Sequence, residues 1–212
     1  MHCINIFRSA DVAIDFYSSG SEPGRTVAIT FTPFNTEGEK VLDGSGFASE
    51  LLANNGFDVV AFKARQNVWY QDLPHPALAA VTQFLDSHSP RHARRVAYGT
   101  SMGGYAAIQF SAALKLDAVL ALSPQFEVDK AYDTRWKVLA NSIDYRYRID
   151  ANAISVDCTY FVAYDPENLD TLHVDKLRPL IAPSKLVEIK TRHAGHPCGY
   201  LLSEVGALKP MM

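Results

Sequence analysis

Tyr98-Gly99-Thr100-Ser101-Met102-Gly103-Gly104 is the most constrained segment of the 212-residue chain. It holds a Gly-x-Ser-x-Gly pattern between an apolar lead-in, Val96-Ala97-Tyr98, and a helix-compatible run over residues 105–114. A strand that must turn into a helix within so few residues forces the central serine into a strained backbone conformation. Side chains flanking it would collide, so glycine is needed on both sides. The turn pushes the Ser101 hydroxyl out at the end of the sheet. It also sets the serine at a helix N-terminus, where free N–H groups stabilise negative charge. Such a strand–serine–helix turn is a nucleophile elbow. The pattern is not a phosphate-binding loop, since Gly-x-x-x-x-Gly-Lys-Ser/Thr does not occur and no lysine directly follows the glycines.

On both sides of the elbow, apolar runs alternate with helical patterns. Residues 3–8 and 11–17 read as two short strands; in the second, Val12, Ile14 and Phe16 alternate with Ala13, Asp15 and Tyr17, a half-buried edge pattern. Residues 26–32 read as a buried central strand, followed by the loop Pro33-Phe34-Asn35-Thr36-Glu37-Gly38. A helix over 46–55 stops at Asn54-Asn55-Gly56, and a strand follows over 57–64. Residues 76–87 are helical, with Leu78, Val81 and Leu85 on one face. Beyond the elbow, strands are expected over 117–122, 158–163 and 185–190, and helices over 170–181 and from 199 to about 208. Residues 126–155 are polar and aromatic and read without a strand.

This order predicts the α/β class: a mostly parallel central sheet with helices on both faces, joined by right-handed crossovers. The 212 residues suit a single domain over 1–212, with 126–155 as at most a small cap insertion. In such sheets the reactive groups lie beyond the carboxyl ends of the strands.

Composition narrows the function. Hydrophobic residues make up 48% and charged residues 20%, enough for a sizeable core. The net charge of −3 gives no basic footprint for nucleic acid, and the densest positive cluster, Arg91-His92-Ala93-Arg94-Arg95, reads as a solvated loop. Three scattered cysteines, Cys3, Cys158 and Cys198, suggest reduced thiols and no disulfide framework. No signal-like start and no apolar run approaching 18 residues is visible, so a soluble, cytoplasmic protein without membrane insertion is expected. No cofactor and no metal site is expected, since His193 and His196 have no obvious third ligand and no His-Glu-x-x-His occurs.

A serine hydroxyl needs a base to take its proton, and the base needs an orienting partner. Asp165 directly follows Phe161-Val162-Ala163-Tyr164, and His196 follows the last strand in a Gly-His-Pro turn. The chain order Ser101, Asp165, His196 is the one expected for this elbow. Asp170 competes with Asp165, since Asn168-Leu169-Asp170-Thr171 could also cap the following helix. His193 competes with His196, which the neighbouring Gly195 favours. His173 reads as a surface residue, and Trp69, Tyr70, Gln125 and Trp136 are candidate substrate contacts.

At these residues the chain resembles the α/β-hydrolase superfamily, over nearly its whole length. The resemblance rests on the two leading strands, the strand before Phe34, the elbow Gly99-Thr100-Ser101-Met102-Gly103, Asp165 after a late strand and Gly195-His196 after the last. It implies a triad of Ser101 as nucleophile, His196 as general base and then acid, and Asp165 as the residue orienting the imidazole. It further implies an oxyanion hole from the backbone N–H of Met102 and of Phe34, with Asn35 as second choice; the His-Gly-Gly-Gly loop of some lipases is absent. The implied activity is that of a serine hydrolase cleaving a carboxylic ester or related acyl bond through an acyl-enzyme on Ser101, in a small-molecule or polymer-attached acyl substrate. Acyl transfer by the same triad and a non-catalytic binding protein of this fold stand as alternatives.

Overall fold

The central strands are continuous apolar runs because helices cover both of their faces. A computed structural model describes residues 2–20, 26–88, 94–128, 133–141 and 143–211. Of the basic cluster, residues 91–93 lie outside them, and Arg95 begins a strand. Eight strands form one sheet: β1 (His2–Arg8), β2 (Val12–Ser18), β3 (Val27–Phe31), β4 (Asp58–Ala64), β5 (Arg95–Thr100), β6 (Ala118–Leu122), β7 (Thr159–Tyr164) and β8 (Leu186–Lys190). Their spatial order is β1-β2-β4-β3-β5-β6-β7-β8. The β1–β2 and β2–β4 pairs are antiparallel, and every pair from β4–β3 onward is parallel.

Helices α1 (Lys40–Asp43), α2 (Ser49–Asn54), α3 (His75–His88), α4 (Met102–Gln109), α5 (Asp170–Leu177), α6 (Gly199–Glu204) and α7 (Leu208–Met211) complete the fold. One core lies on the face that carries α3, α4 and α5, with Val81, Tyr105, Ile108 and Val174 packed on the sheet. The opposite core joins Leu52 of α2 and Leu202 of α6 to Tyr98, Leu122 and Ala163. The described part of 126–155 carries no strand and one turn of 3-10 helix, Thr134–Trp136; its Tyr147, Ile149 and Ile154 join the first core. Among the described residues no helix is long and apolar enough to cross a membrane.

Two details depart from the sequence reading. β2 is not at an edge: it pairs on both sides, and most of both its faces is buried. The alternation misleads because Asp15, a polar position in the pattern, is itself buried against the Lys63 ammonium at 2.6 Å. The extra helix α1 arises in a stretch with no clear periodicity. It is held partly by Lys63, which donates to the Leu42 and Gly44 carbonyls at 2.6 and 3.0 Å.

Candidate active site

Ser101 sits between β5 and α4 with φ 52° and ψ −118°, a left-handed backbone that an L-residue adopts only under strain of about 1–3 kcal/mol. The surrounding contacts enforce that strain. The Ser101 N–H donates to the Leu122 carbonyl at 2.9 Å, and its own carbonyl accepts from the Tyr105 N–H at 3.0 Å. The glycines are sterically required: a Cβ on Gly99 would meet the Gly103 carbonyl oxygen at 2.2 Å, and one on Gly103 would meet the Phe31 carbonyl oxygen at 2.4 Å. The hydroxyl is thus presented beyond the carboxyl end of β5.

His196 comes to it from the loop after β8. Ser101 Oγ lies 3.0 Å from His196 Nε2, and His196 Nδ1 lies 2.9 Å from Asp170 Oδ1. A carboxylate only accepts, so the hydrogen-bond pattern assigns the imidazole proton to Nδ1 and leaves Nε2 free to accept from the serine. Asp170 is fully buried at the start of α5. Burial pushes its carboxyl up, but the bond and charge of His196, joined by the side chains of Ser123 and Arg135, outweigh that and hold it below the usual carboxylate value.

The expected partner Asp165 is therefore replaced by Asp170. Asp165 instead clamps the histidine loop: Oδ2 accepts from the Gly195 N–H at 2.8 Å and Oδ1 from the Glu167 N–H at 3.0 Å. Burial raises its pKa, and these backbone donors more than reverse the effect. The carboxyl that meets the imidazole comes from the first turn of α5, five residues beyond the strand-end position. His193 points away, mostly exposed and 3.0 Å from Glu167.

His173 is no surface residue: it is fully buried. Its Nδ1 accepts from the Phe126 N–H at 3.0 Å, which leaves Nε2–H to donate to Asp133 Oδ2 at 2.8 Å. Asp133 is also fully buried, and it receives Arg135 through Nε and Nη2. Arg135 Nη1 then reaches Asp170 Oδ1 at 2.8 Å and Asn168 Oδ1 at 2.9 Å.

A cavity of about 460 Å³ opens beside Ser101 and His196, on the α6–α7 side of the sheet. Phe34, Phe47, Tyr98, Trp136, Tyr200 and Leu208 line it, and among the described residues no Asp, Glu, Lys or Arg does. Trp136 stands edge-on to His196, ring centres 6.0 Å apart. Met102 is the first residue of α4, so its N–H has no intrahelical acceptor. The Asn35 N–H is already engaged by Asn67 Oδ1 at 3.0 Å, whereas Phe34 borders the cavity.

No family model and no curated protein matches the sequence. Solved structures do match its shape. The capsule O-acetyltransferase of Neisseria meningitidis serogroup A superposes with a TM-score of 0.65 at 14% identity, covering 97% of this chain and 92% of that one. A thermophilic esterase from Thermogutta terrifontis gives a TM-score of 0.62 at 14% identity over 99% and 89% of the two chains. An α/β serine hydrolase without lid from Xanthomonas campestris gives 0.57 at 17% identity over 99% and 92%. The chain has the α/β-hydrolase fold.

Within this α/β-hydrolase fold, the four expected substrate contacts divide. Trp136 lines the cavity. Gln125 is fully buried, and its Oε1 lies 2.9 Å from Trp69 Nε1 and 3.3 Å from Ser101 Oγ. Trp69 and Tyr70 do not line the cavity: both are fully buried in the first core, on the face of α3, α4 and α5. Positive φ values of 52° and 57° turn the pair inward. The Tyr70 hydroxyl then donates toward the Thr32 carbonyl at 3.0 Å, and burial pushes its phenol well above the ordinary value. No periodicity marks Asp133 or Arg135, which sequence reasoning missed; the one local signal was Asp133 two residues before Arg135 in a polar stretch.

Proposed function

We propose that the chain is a serine hydrolase that cleaves esters with an uncharged, apolar acyl group. The observation that carries this reading is the unbroken line Ser101 Oγ–His196 Nε2 at 3.0 Å and His196 Nδ1–Asp170 at 2.9 Å, mounted on a strained elbow. Ser101 Oγ attacks the acyl carbon while His196 takes its proton, and the Asp170 carboxylate balances the imidazolium. The Met102 and Phe34 N–H groups receive the oxyanion, each such donor being worth about 3–4 kcal/mol in the transition state. The tetrahedral species expels the alkoxide, to which His196 returns the proton. Water then repeats the sequence on the acyl-enzyme, releasing the acid and restoring the serine.

The cavity supports the substrate class. At about 460 Å³ it falls in the range of pockets that enclose drug-sized ligands. With no Asp, Glu, Lys or Arg among the described lining residues, a carboxylate or ammonium on the acyl group would be desolvated unpaired, at a cost of several kcal/mol. Hydrolysis of a p-nitrophenyl ester series from acetyl to dodecanoyl tests this, beside a succinyl hemiester. Medium-chain neutral esters are expected to give the highest kcat/KM, with the succinyl ester far below them. In Leu208→Trp, which narrows the α7 wall, kcat/KM for octanoyl should fall about tenfold or more relative to acetyl. A preference for the succinyl ester would refute the class.

Acyl transfer is the second reading, favoured by the structural likeness to a capsule O-acetyltransferase. Added alcohol acceptors distinguish the two. Transfer product exceeding free acid at millimolar acceptor would make the chain a transferase, with the same acyl-enzyme.

A further inference from the structure

We infer that Arg135 is a positioning residue that fixes the orientation of Asp170 and thereby ties the segment after β6 to the reacting centre. The inference rests on the Ser101–His196–Asp170 assignment. Two donors converge on one oxygen: His196 Nδ1 at 2.9 Å and Arg135 Nη1 at 2.8 Å both reach Asp170 Oδ1. The second oxygen, Oδ2, is buried without a well-formed hydrogen bond. The Ser123 side chain also favours the charged carboxylate, but the well-formed bonds are both on Oδ1, and Arg135 is the group that keeps Oδ1 rather than Oδ2 under the imidazole.

Arg135 is itself locked. Its Nε and Nη2 form a fork on Asp133, Nη1 reaches Asn168 and Asp170, and its backbone N–H donates to Asp133 Oδ1 at 3.0 Å. Asp133 is held from its far side by His173 Nε2, whose ring is fixed by the Phe126 N–H. The order is then a buried histidine, a carboxylate, a guanidinium, a second carboxylate and the active-site histidine. Two fully buried carboxylates would repel across this space, and one planar guanidinium reaches both. A lysine ammonium is a point donor on a flexible stem and cannot present that fork. The next residue, Trp136, walls the cavity and faces the His196 ring, so the same turn seats the pocket wall and aims the acid.

The test compares wild type with Arg135→Lys and with the double variant Arg135→Met/Asp133→Asn, which removes the guanidinium together with its buried counter-charge. The His196 Nδ1 proton, identified by comparison with His196→Gln, is followed by NMR in the far-downfield imidazole region, alongside ester hydrolysis. In the folded double variant that resonance should shift or broaden, and kcat should fall by about tenfold to a hundredfold with KM within about twofold. Arg135→Lys should fall between the two. A His196 resonance left unmoved in the folded double variant, or a kcat within about twofold of wild type, overturns the inference. The NMR signal separates this claim from the hydrolase reading: a moved resonance in a protein that turns over no ester upholds the positioning role and sinks the activity.

Discussion

Replacing Asp170 by Asn keeps size and shape and removes one charge. In many triads such a change also reverses the amide, presents an N–H to the imidazole and forces the wrong tautomer, at about a 10⁴-fold loss in kcat. Here Arg135 Nη1 and His196 Nδ1 both donate to Oδ1. The amide oxygen is thereby held at that position, and the amide nitrogen takes the place of Oδ2, which makes no well-formed hydrogen bond. The tautomer survives, and the loss is electrostatic. A unit charge about 4 Å from the imidazolium, at an effective dielectric constant near 20, is worth about 4 kcal/mol. That corresponds to about a 10³-fold fall in kcat/KM. Asp165→Asn is the control. It retains one acceptor for two backbone donors, so it should cost about 1–2 kcal/mol of stability and about tenfold or less in rate. The assay is pseudo-first-order hydrolysis of a neutral p-nitrophenyl ester, with circular dichroism to confirm folding. If Asp165→Asn loses more activity than Asp170→Asn at equal folding, the assignment of the acid is wrong.

Two further expectations concern stability. The buried Lys63 ammonium contacts Asp15 at 2.6 Å, so Lys63→Met should cost about 3–5 kcal/mol by stranding the carboxylate, while Lys63→Met/Asp15→Leu should cost much less; urea unfolding in which the double variant is no better than the single would refute this. Burial pushes the Asp72 carboxyl up to about 6, and neither of its oxygens has a hydrogen-bond partner among the described residues. A raised carboxyl pKa penalises the charged folded form, so stability is lost as the pH rises from about 4 through 6. A rise of roughly two pH units is about 3 kcal/mol before solvent screening. At this half-buried site Asp72→Asn should therefore stabilise the fold by about 1–2 kcal/mol at pH 7.5. The gain should vanish near pH 4, and equal unfolding midpoints for variant and wild type at pH 7.5 would contradict it.

The strands and the elbow were legible because their signals are local. A parallel strand covered on both faces is an apolar run, as in Val59-Val60-Ala61-Phe62, and the elbow carries its steric demand in Gly99 and Gly103. The acid was not legible to the residue. Strand-end logic delivers the loop after β7, but which carboxylate meets the imidazole depends on where α5 begins and how it tilts. Asp170 enters at its first turn, where an acidic residue also suits the helix dipole. His173 was misread for a related reason. Its burial comes from Asp133 and Phe126, forty and forty-seven residues upstream, in a segment with neither helical nor strand periodicity. Trp69 and Tyr70 looked like pocket residues on position alone, and the positive φ values that turn them inward leave no mark in composition.

An activated nucleophile at Ser101 is what every catalytic step proposed above requires. A fluorophosphonate probe followed by peptide mass mapping measures that directly, with Ser101→Ala and His196→Ala alongside. Labelling is expected on Ser101 in the wild type, abolished in the first variant and slowed by orders of magnitude in the second. A folded wild type that takes no label at Ser101, or one that labels equally fast without His196, would contradict the account.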